Sequence, residues 1–142
     1  MTTIVAMRSQ CLMASDSMST TDTGRFRSRK ILRVNGGLIG IAGYLSDITT
    51  FLEWHAKRRR RRPRLRGLEA LELTQDGRLV YYQSDCSQDE IQDDWWAIGS
   101  GAQAALAAMH LLADPVRAIE VACAIDPWSG LPCVVEVLDA KT

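Results

Sequence analysis

Apolar residues fall in short runs separated by turn formers, with one longer helical pattern in the middle of the chain. Residues 3–8 (TIVAMR) and 11–16 (CLMASD) predict two strands, and Ser9-Gln10 between them suits a hairpin. After a polar loop ending in TDTGRFRSR, KILRV and GLIGIAG predict a second pair turned at Asn35-Gly36, because both turn positions tolerate positive φ. The first 43 residues thus read as one four-strand antiparallel unit. Ser46 predicts the N-cap of a helix over 46–62, with Ile48, Phe51, Leu52 and His55 on one face, and Pro63 stops it. LEALELT and RLVYYQS flank Gln75-Asp76-Gly77 as another hairpin, and DCSQDEIQDD reads as an acidic loop. WWAIGSG is a short strand running into a glycine turn. GAQAALAAMHLLA is rich in the best helix formers, Asp114-Pro115 caps and opens a further helix in DPVRAIEVACAI, and LPCVVEVLD closes as a strand. This order predicts an α+β class with antiparallel strands and layered helices, in one domain over residues 1–142.

Composition removes several function classes. The chain has 142 residues and a formal net charge of zero, so overall charge points to no polyanionic partner. Cys11, Cys86, Cys123 and Cys133 lie far apart with no C-x-x-C pair, which predicts reduced thiols in a cytoplasmic protein rather than a disulfide framework or zinc site. His55 and His110 sit in helical segments without metal-ligand spacing, so neither a metal nor another cofactor is expected. No apolar stretch approaches the ~20 residues needed to span a bilayer, and the start lacks a basic segment followed by an apolar one, so neither membrane insertion nor export is expected. No nucleotide-binding loop occurs, which assigns any ATP use to another chain.

Charge is unevenly placed. Residues 57–66, KRRRRRPRLR, hold eight of the seventeen basic residues. Such a block could contact phosphates, which makes nucleic-acid binding an alternative reading. No aromatics interleave with the arginines, however, and a helix end favours cations in any case. A third reading pairs the block with the five acids of residues 85–94 on a neighbouring subunit. Among the tryptophans, core packing is expected for two of Trp54, Trp95 and Trp96, leaving one to face a partner.

Polar residues gather at strand ends and glycine turns, where a site would be built. Met1 is followed by Thr2 and Thr3; with Met1 removed, Thr2 carries a hydroxyl and a free α-amine, a nucleophile and a base in one residue. Thr3 is a lesser candidate for the same role. Asp16 ends the second strand, Lys30 begins the third and Gly43 ends the fourth. Ser100 lies in IGSG, and Asp126 and Ser129 lie in DPWSG. Singly each has a structural explanation: turn carboxylate, surface charge, helix cap.

As an ordered set, MTTIVA, ASDSMST, the lysine of RKILRV, LIGIAG, AIGSGAQAALAAMHLL and IDPWSG resemble the proteasome β-subunits and the HslV peptidase, of the N-terminal-nucleophile hydrolase superfamily. DPWSG, with its acid and serine three apart, is closer to the proteasome branch. The resemblance implies a four-layer αββα sandwich of two antiparallel sheets and a threonine peptidase site at one end. It makes Thr2 the nucleophile and its α-amine the base, acting through a water. Lys30 would disfavour protonation of that amine and stabilise the alkoxide, and Asp16 would hold Lys30 by an ion pair. Gly43 N–H would face the oxyanion, while Ser100, Asp126 and Ser129 would orient the amine and its water. Residues 44–46 would line a partly apolar substrate pocket. The resemblance also implies a homo-oligomeric ring or double ring acting on polypeptides, fed by a separate ATP-dependent unfoldase. A chain that kept Met1 would be an inactive ring-forming homologue.

Overall fold

Both opening hairpins are apolar on both faces, and that decides the architecture. The computed structural model describes residues 1–57 and 61–139. Strand β1 (Thr3–Met7) is buried at all five positions and pairs with β2 (Leu12–Ser15) across the expected tight turn, in which Cys11 N–H donates to the Arg8 carbonyl at 3.0 Å. Strands β5 (Ile31–Val34) and β6 (Gly37–Gly43) turn at Asn35 (φ 51°) and Gly36 (φ 77°), as the Asn-Gly pair predicts. A strand buried on both faces needs cover on each side. The two hairpins therefore lie in different sheets, which corrects the reading of residues 1–43 as one unit.

The first sheet has the order β10-β1-β2-β11, where β10 is Trp95–Gly99 and β11 is Val134–Val137. The second has the order β5-β6-β7-β8-β9, with β7 at Leu68–Leu73, β8 at Leu79–Tyr82 and β9 at Gln88–Ile91. All neighbours in both are antiparallel. Between them sits a cluster in which Ile4, Met13 and Ile98 of one sheet meet Leu38, Leu71 and Leu79 of the other. Gly40 makes that contact close: a Cβ there would lie 2.8 Å from Ile4 Cγ2 and 2.9 Å from Met13 Sδ. The outer face of the first sheet, through Val5, Ala14 and Ala97, packs on α2 (Ala102–Leu112) and α3 (Pro115–Ile125). The outer face of the second, through Ile39, Ala70 and Val80, packs under Phe51 of α1 (Leu45–Lys57). The fold is thus α+β, with antiparallel sheets and, among the described residues, three helices.

Backbone pairing also makes strands that apolar patterning does not mark. The polar loop at 17–29 holds a two-stranded hairpin, β3 (Met18–Thr20) with β4 (Arg25–Arg27). The acidic loop contains β9, whose Ile91 packs against the inter-sheet cluster. Helix α1 begins one residue before Ser46, which is exposed; Asp47 instead accepts the N–H groups of Arg66 and Gly67, each at 3.0 Å. The last described residue of α1 is Lys57; of the expected extension to residue 62, positions 58–60 lie outside the described residues, and Arg61 and Arg62 are not helical, so the helix ends before Pro63 is reached. Asp114 caps α3 as predicted, accepting from Val116 N–H at 3.1 Å.

His55 and the tryptophans are placed by the same packing. The carboxylate that the sequence does not put near His55 comes from β7: Glu72 Oε1 lies 2.9 Å from His55 Nε2 and accepts the Tyr82 hydroxyl at 2.7 Å. Trp54 packs near the outer cluster, Trp96 on the inter-sheet cluster and Trp95 beneath α2, so all three are partly buried rather than two.

Phe51 is fully buried and meets the Tyr82 ring edge-to-face at 5.2 Å between centroids, so it carries much of the α1 contact. Phe51→Ala should cost about 3–5 kcal/mol. Urea denaturation checks this, and a loss below about 1 kcal/mol would show that α1 adds little to the core.

Candidate active site

Asp16 follows the last residue of β2 and is wholly buried, so its carboxylate needs several donors to remain charged there. It has four. Oδ1 accepts Thr3 N–H at 3.0 Å and lies 2.9 Å from Lys30 Nζ; Oδ2 accepts Gly130 N–H at 3.0 Å and Met18 N–H at 3.3 Å. One side chain therefore joins β1, β3, the residue ahead of β5 and the loop between α3 and β11. The Lys30–Asp16 ion pair expected from sequence is present, with both side chains nearly inaccessible.

Lys30 Nζ also donates to the carbonyls of Met18 at 2.5 Å and Met1 at 2.9 Å. The second acceptor belongs to the peptide group that joins Met1 to Thr2. Thr2 itself is 6% exposed, so the residue following that peptide is enclosed while Met1 projects into solvent.

A second polar group closes the other side. Asp126 caps the C-terminus of α3, and its Oδ2 accepts the hydroxyls of Ser100 and Ser129, each at 2.6 Å; Oδ1 accepts Trp128 N–H at 3.2 Å. The Ser129 hydrogen goes to Asp126, so Thr3 must donate its own hydroxyl to Ser129 Oγ at 2.7 Å. Ser100 Oγ is 3.4 Å from the Thr2 carbonyl. Burial would raise the Asp126 carboxyl, but the two hydroxyls and the Trp128 N–H outweigh it and hold the carboxyl below its ordinary value.

Thr3 has its nitrogen on Asp16, its hydroxyl on Ser129 and no exposed surface, so it serves as a structural pin rather than an accessible nucleophile. The doubled threonine was the signal for it. The glycines of IGSG answer a steric demand: a Cβ on Gly99 would lie 1.9 Å from the Thr2 carbonyl oxygen, and one on Gly101 would lie 2.1 Å from Thr3 Oγ1. Gly101, not Ser100, is the N-cap of α2, which leaves the exposed Ser100 hydroxyl to Asp126.

Gly43 ends β6 at φ 154° and is exposed. A Cβ there would meet the carbonyl of Gly67, the residue ahead of β7, at 2.4 Å, so close backbone approach already requires glycine at this position. Tyr44 and Leu45 follow it with 61% and 80% of their surface exposed. Six of the seven expected residues, all but Gly43, are thus tied into one hydrogen-bonded group around Thr2 and Thr3. A cavity of about 300 Å³ lined by Glu69, Tyr81 and Asp85 contains none of the seven.

The charged runs meet differently from expectation. Leu65 N–H donates to the Ser84 carbonyl at 3.0 Å, which lays the end of the basic stretch beside the start of the acidic one in the same chain. Ser87 holds the Asp85 carboxyl below its ordinary value, with Arg62 adding to the effect. All four cysteines are free; burial pushes the Cys123 and Cys133 thiols up to about 11. Among the described residues no three His, Cys, Asp or Glu side chains gather to hold a metal, and no helix is long and apolar enough to cross a membrane.

Because the folded Asp126 value is lowered, its contribution to stability is complete above the unfolded carboxylate pKa of about 4 and is lost as pH falls through the folded value. Asp126→Asn should flatten the acid side of a urea-midpoint profile below pH about 4. Identical acid slopes in variant and wild type would contradict the hydrogen-bond assignment.

No protein-family model matches the sequence, and no curated protein matches it. Solved structures do. Eukaryotic HslV from Trypanosoma brucei superposes with a TM-score of 0.76 at 20% identity, over 94% of this chain and 97% of that one. BPH of Thiobacillus denitrificans, in complex with epoxomicin, gives 0.69 at 18% identity over 97% and 100%. The Anbu Gly-1 mutant from Hyphomicrobium sp. strain MC1 gives 0.71 at 12% over 100% and 85%. The chain therefore shares its fold with HslV, BPH and Anbu.

Proposed function

We propose that this chain is a threonine-type peptidase subunit of a proteasome-like ring, with Thr2 as nucleophile once Met1 has been removed. The observation that carries the reading is the third hydrogen bond of Lys30. An ammonium has three donors, and here they go to Asp16, Met18 and the Met1 carbonyl. Loss of Met1 removes that third acceptor and, in the same event, frees the Thr2 α-amine. Lys30 then keeps two anchors and turns one N–H toward the nucleophile.

The chemistry follows from those groups. Thr2 Oγ attacks a peptide carbonyl, and its proton passes through a water to the α-amine. The Lys30 charge disfavours protonation of that amine beforehand and stabilises the alkoxide as it forms. Gly43 N–H, at the exposed end of β6, faces the developing oxyanion. The protonated amine returns its proton to the leaving amine, and a second water hydrolyses the ester. Ser100, Ser129 and Asp126 orient the amine and water, and their mutual hydrogen bonds keep them fixed. Exposed Tyr44 and Leu45 supply an apolar wall for a polypeptide side chain. Four unpaired thiols favour a reducing cytosolic setting, and a separate ATP-driven chain would unfold the substrate. The inactive alternative corresponds to the chain that retains Met1 on Lys30.

Intact mass of the purified protein should show the loss of one methionine residue. Epoxomicin, the compound bound in the BPH complex, should then form an adduct at Thr2. Thr2→Ala should abolish peptide cleavage, and Lys30→Ala should lower kcat at least ~10²-fold. Cleavage by a particle whose Met1 is fully retained would overturn the assignment.

A further inference from the structure

The second sheet is one strand wider than the first, and a cavity opens where the cover ends. Strand β10 is the end strand of its sheet and lies over β7, so β8 extends past it without a facing strand among the described residues. The cavity there, of about 300 Å³, is at the small end of ligand pockets and has room for a single long side chain. Glu69 of β7 and Tyr81 of β8 line it. They alternate with the same register as Leu71 and Leu79, which face the first sheet. Alternation gives Thr2, two positions ahead of the inter-sheet Ile4, an orientation into that same space.

Glu69 joins the cavity to the candidate site. Its Oε2 accepts the Tyr81 hydroxyl at 2.7 Å, and its Oε1 accepts Gly99 N–H at 3.4 Å. Gly99 is the residue whose backbone abuts the Thr2 carbonyl. On the other flank, a Cβ on Gly67, next to the cavity-lining Leu68, would lie 3.4 Å from the Tyr44 ring, so the cavity also adjoins the exposed apolar wall. Its charge is unbalanced. Asp85 is held by Ser87 with Arg62 adding to the effect, whereas Glu69 has no cation at ion-pair distance among the described residues. Burial, and then Glu69, push the Tyr81 hydroxyl up to about 12, so at neutral pH it remains a donor to the carboxylate. The long contact to Gly99 leaves Oε1 with acceptor capacity to spare.

We propose that this cavity is a second substrate subsite, in which Glu69 takes the ammonium or guanidinium of a lysine or arginine side chain of the bound polypeptide. The inference deepens the preceding reading and rests on it. A chain lying along Gly43 and Tyr44 puts one side chain against the apolar wall and a different one into the cavity. Glu69 then sets which sequence is cut without touching the reacting atoms.

The test is a positional scan in which a neutral peptide carries arginine or norleucine at each position in turn. At one position arginine should raise kcat/KM at least ~10-fold over norleucine. Glu69→Gln should remove that advantage and leave cleavage of the norleucine peptides unchanged, and Glu69→Lys should turn the preference to glutamate at the same position. A merely structural role for Glu69, through Gly99, would lower cleavage of every peptide equally. Gln83→Lys, at an exposed cavity-lining position that leaves the Glu69 hydrogen bonds in place, should reproduce the selective loss even if circular dichroism shows the Glu69 variants unfolded. No arginine preference at any position, or a preference that survives Gln83→Lys, would overturn the subsite alone. If wild type cleaves no peptide, the peptidase reading falls, and fluorescence anisotropy with the labelled arginine and norleucine peptides decides the cavity separately: tighter arginine binding that Gln83→Lys abolishes supports it, and equal binding overturns it.

Discussion

A fully buried carboxylate, Asp16, is the constraint on which the rest of this structure depends. Taking an unpaired charge out of water is prohibitive, so Asp16 can sit there only if donors converge on it. They come from four places: the backbone of Thr3, Met18 and Gly130, and the ammonium of Lys30. These belong to different elements, so satisfying one charge fixes the relative positions of β1, β3, the start of β5 and the loop ahead of β11. The polar site is rigid because the cost of any loose arm would fall on the same carboxylate.

Close backbone approach is the second requirement, and it explains why glycines cluster beside the site. Thr2 and Thr3 run against Gly99 and Gly101 so tightly that any side chain there would overlap them. The turn brings Ser100 within reach of both Asp126 and the Thr2 carbonyl. Gly43 is glycine for a different reason, the Gly67 carbonyl just ahead of β7. A single residue type thus meets separate steric demands.

Much of this was legible in the sequence. Asn35-Gly36 and Asp114-Pro115 mark a turn and a cap through local chemistry that needs no tertiary partner, and both are where they were expected. The ordered motifs pointed to the ion pair of Asp16 with Lys30, whereas the hydrogen bonds of Asp126 to Ser100 and Ser129 emerge only in the structure. What was not legible depended on distant pairing. Strands β4 and β9 are polar and are held by ladder hydrogen bonds, so apolar alternation could not mark them. The separation of the first two hairpins into facing sheets depends on cover for both faces of β1 and β6. The Glu72 partner of His55 comes from seventeen positions away. Thr3 was visible as a residue, but its double anchorage on Asp16 and Ser129 required both loops to be in place.

The acceptor that Lys30 meets at Met1 is a main-chain oxygen, and every amino acid carries one. Whatever stands ahead of Thr2, long or short, charged or apolar, therefore engages the ammonium in the same way. The latch ignores the identity of what it holds and responds only to whether the peptide bond exists. Arming the proposed nucleophile becomes a matter of one scission, and no choice of leading side chain can imitate it.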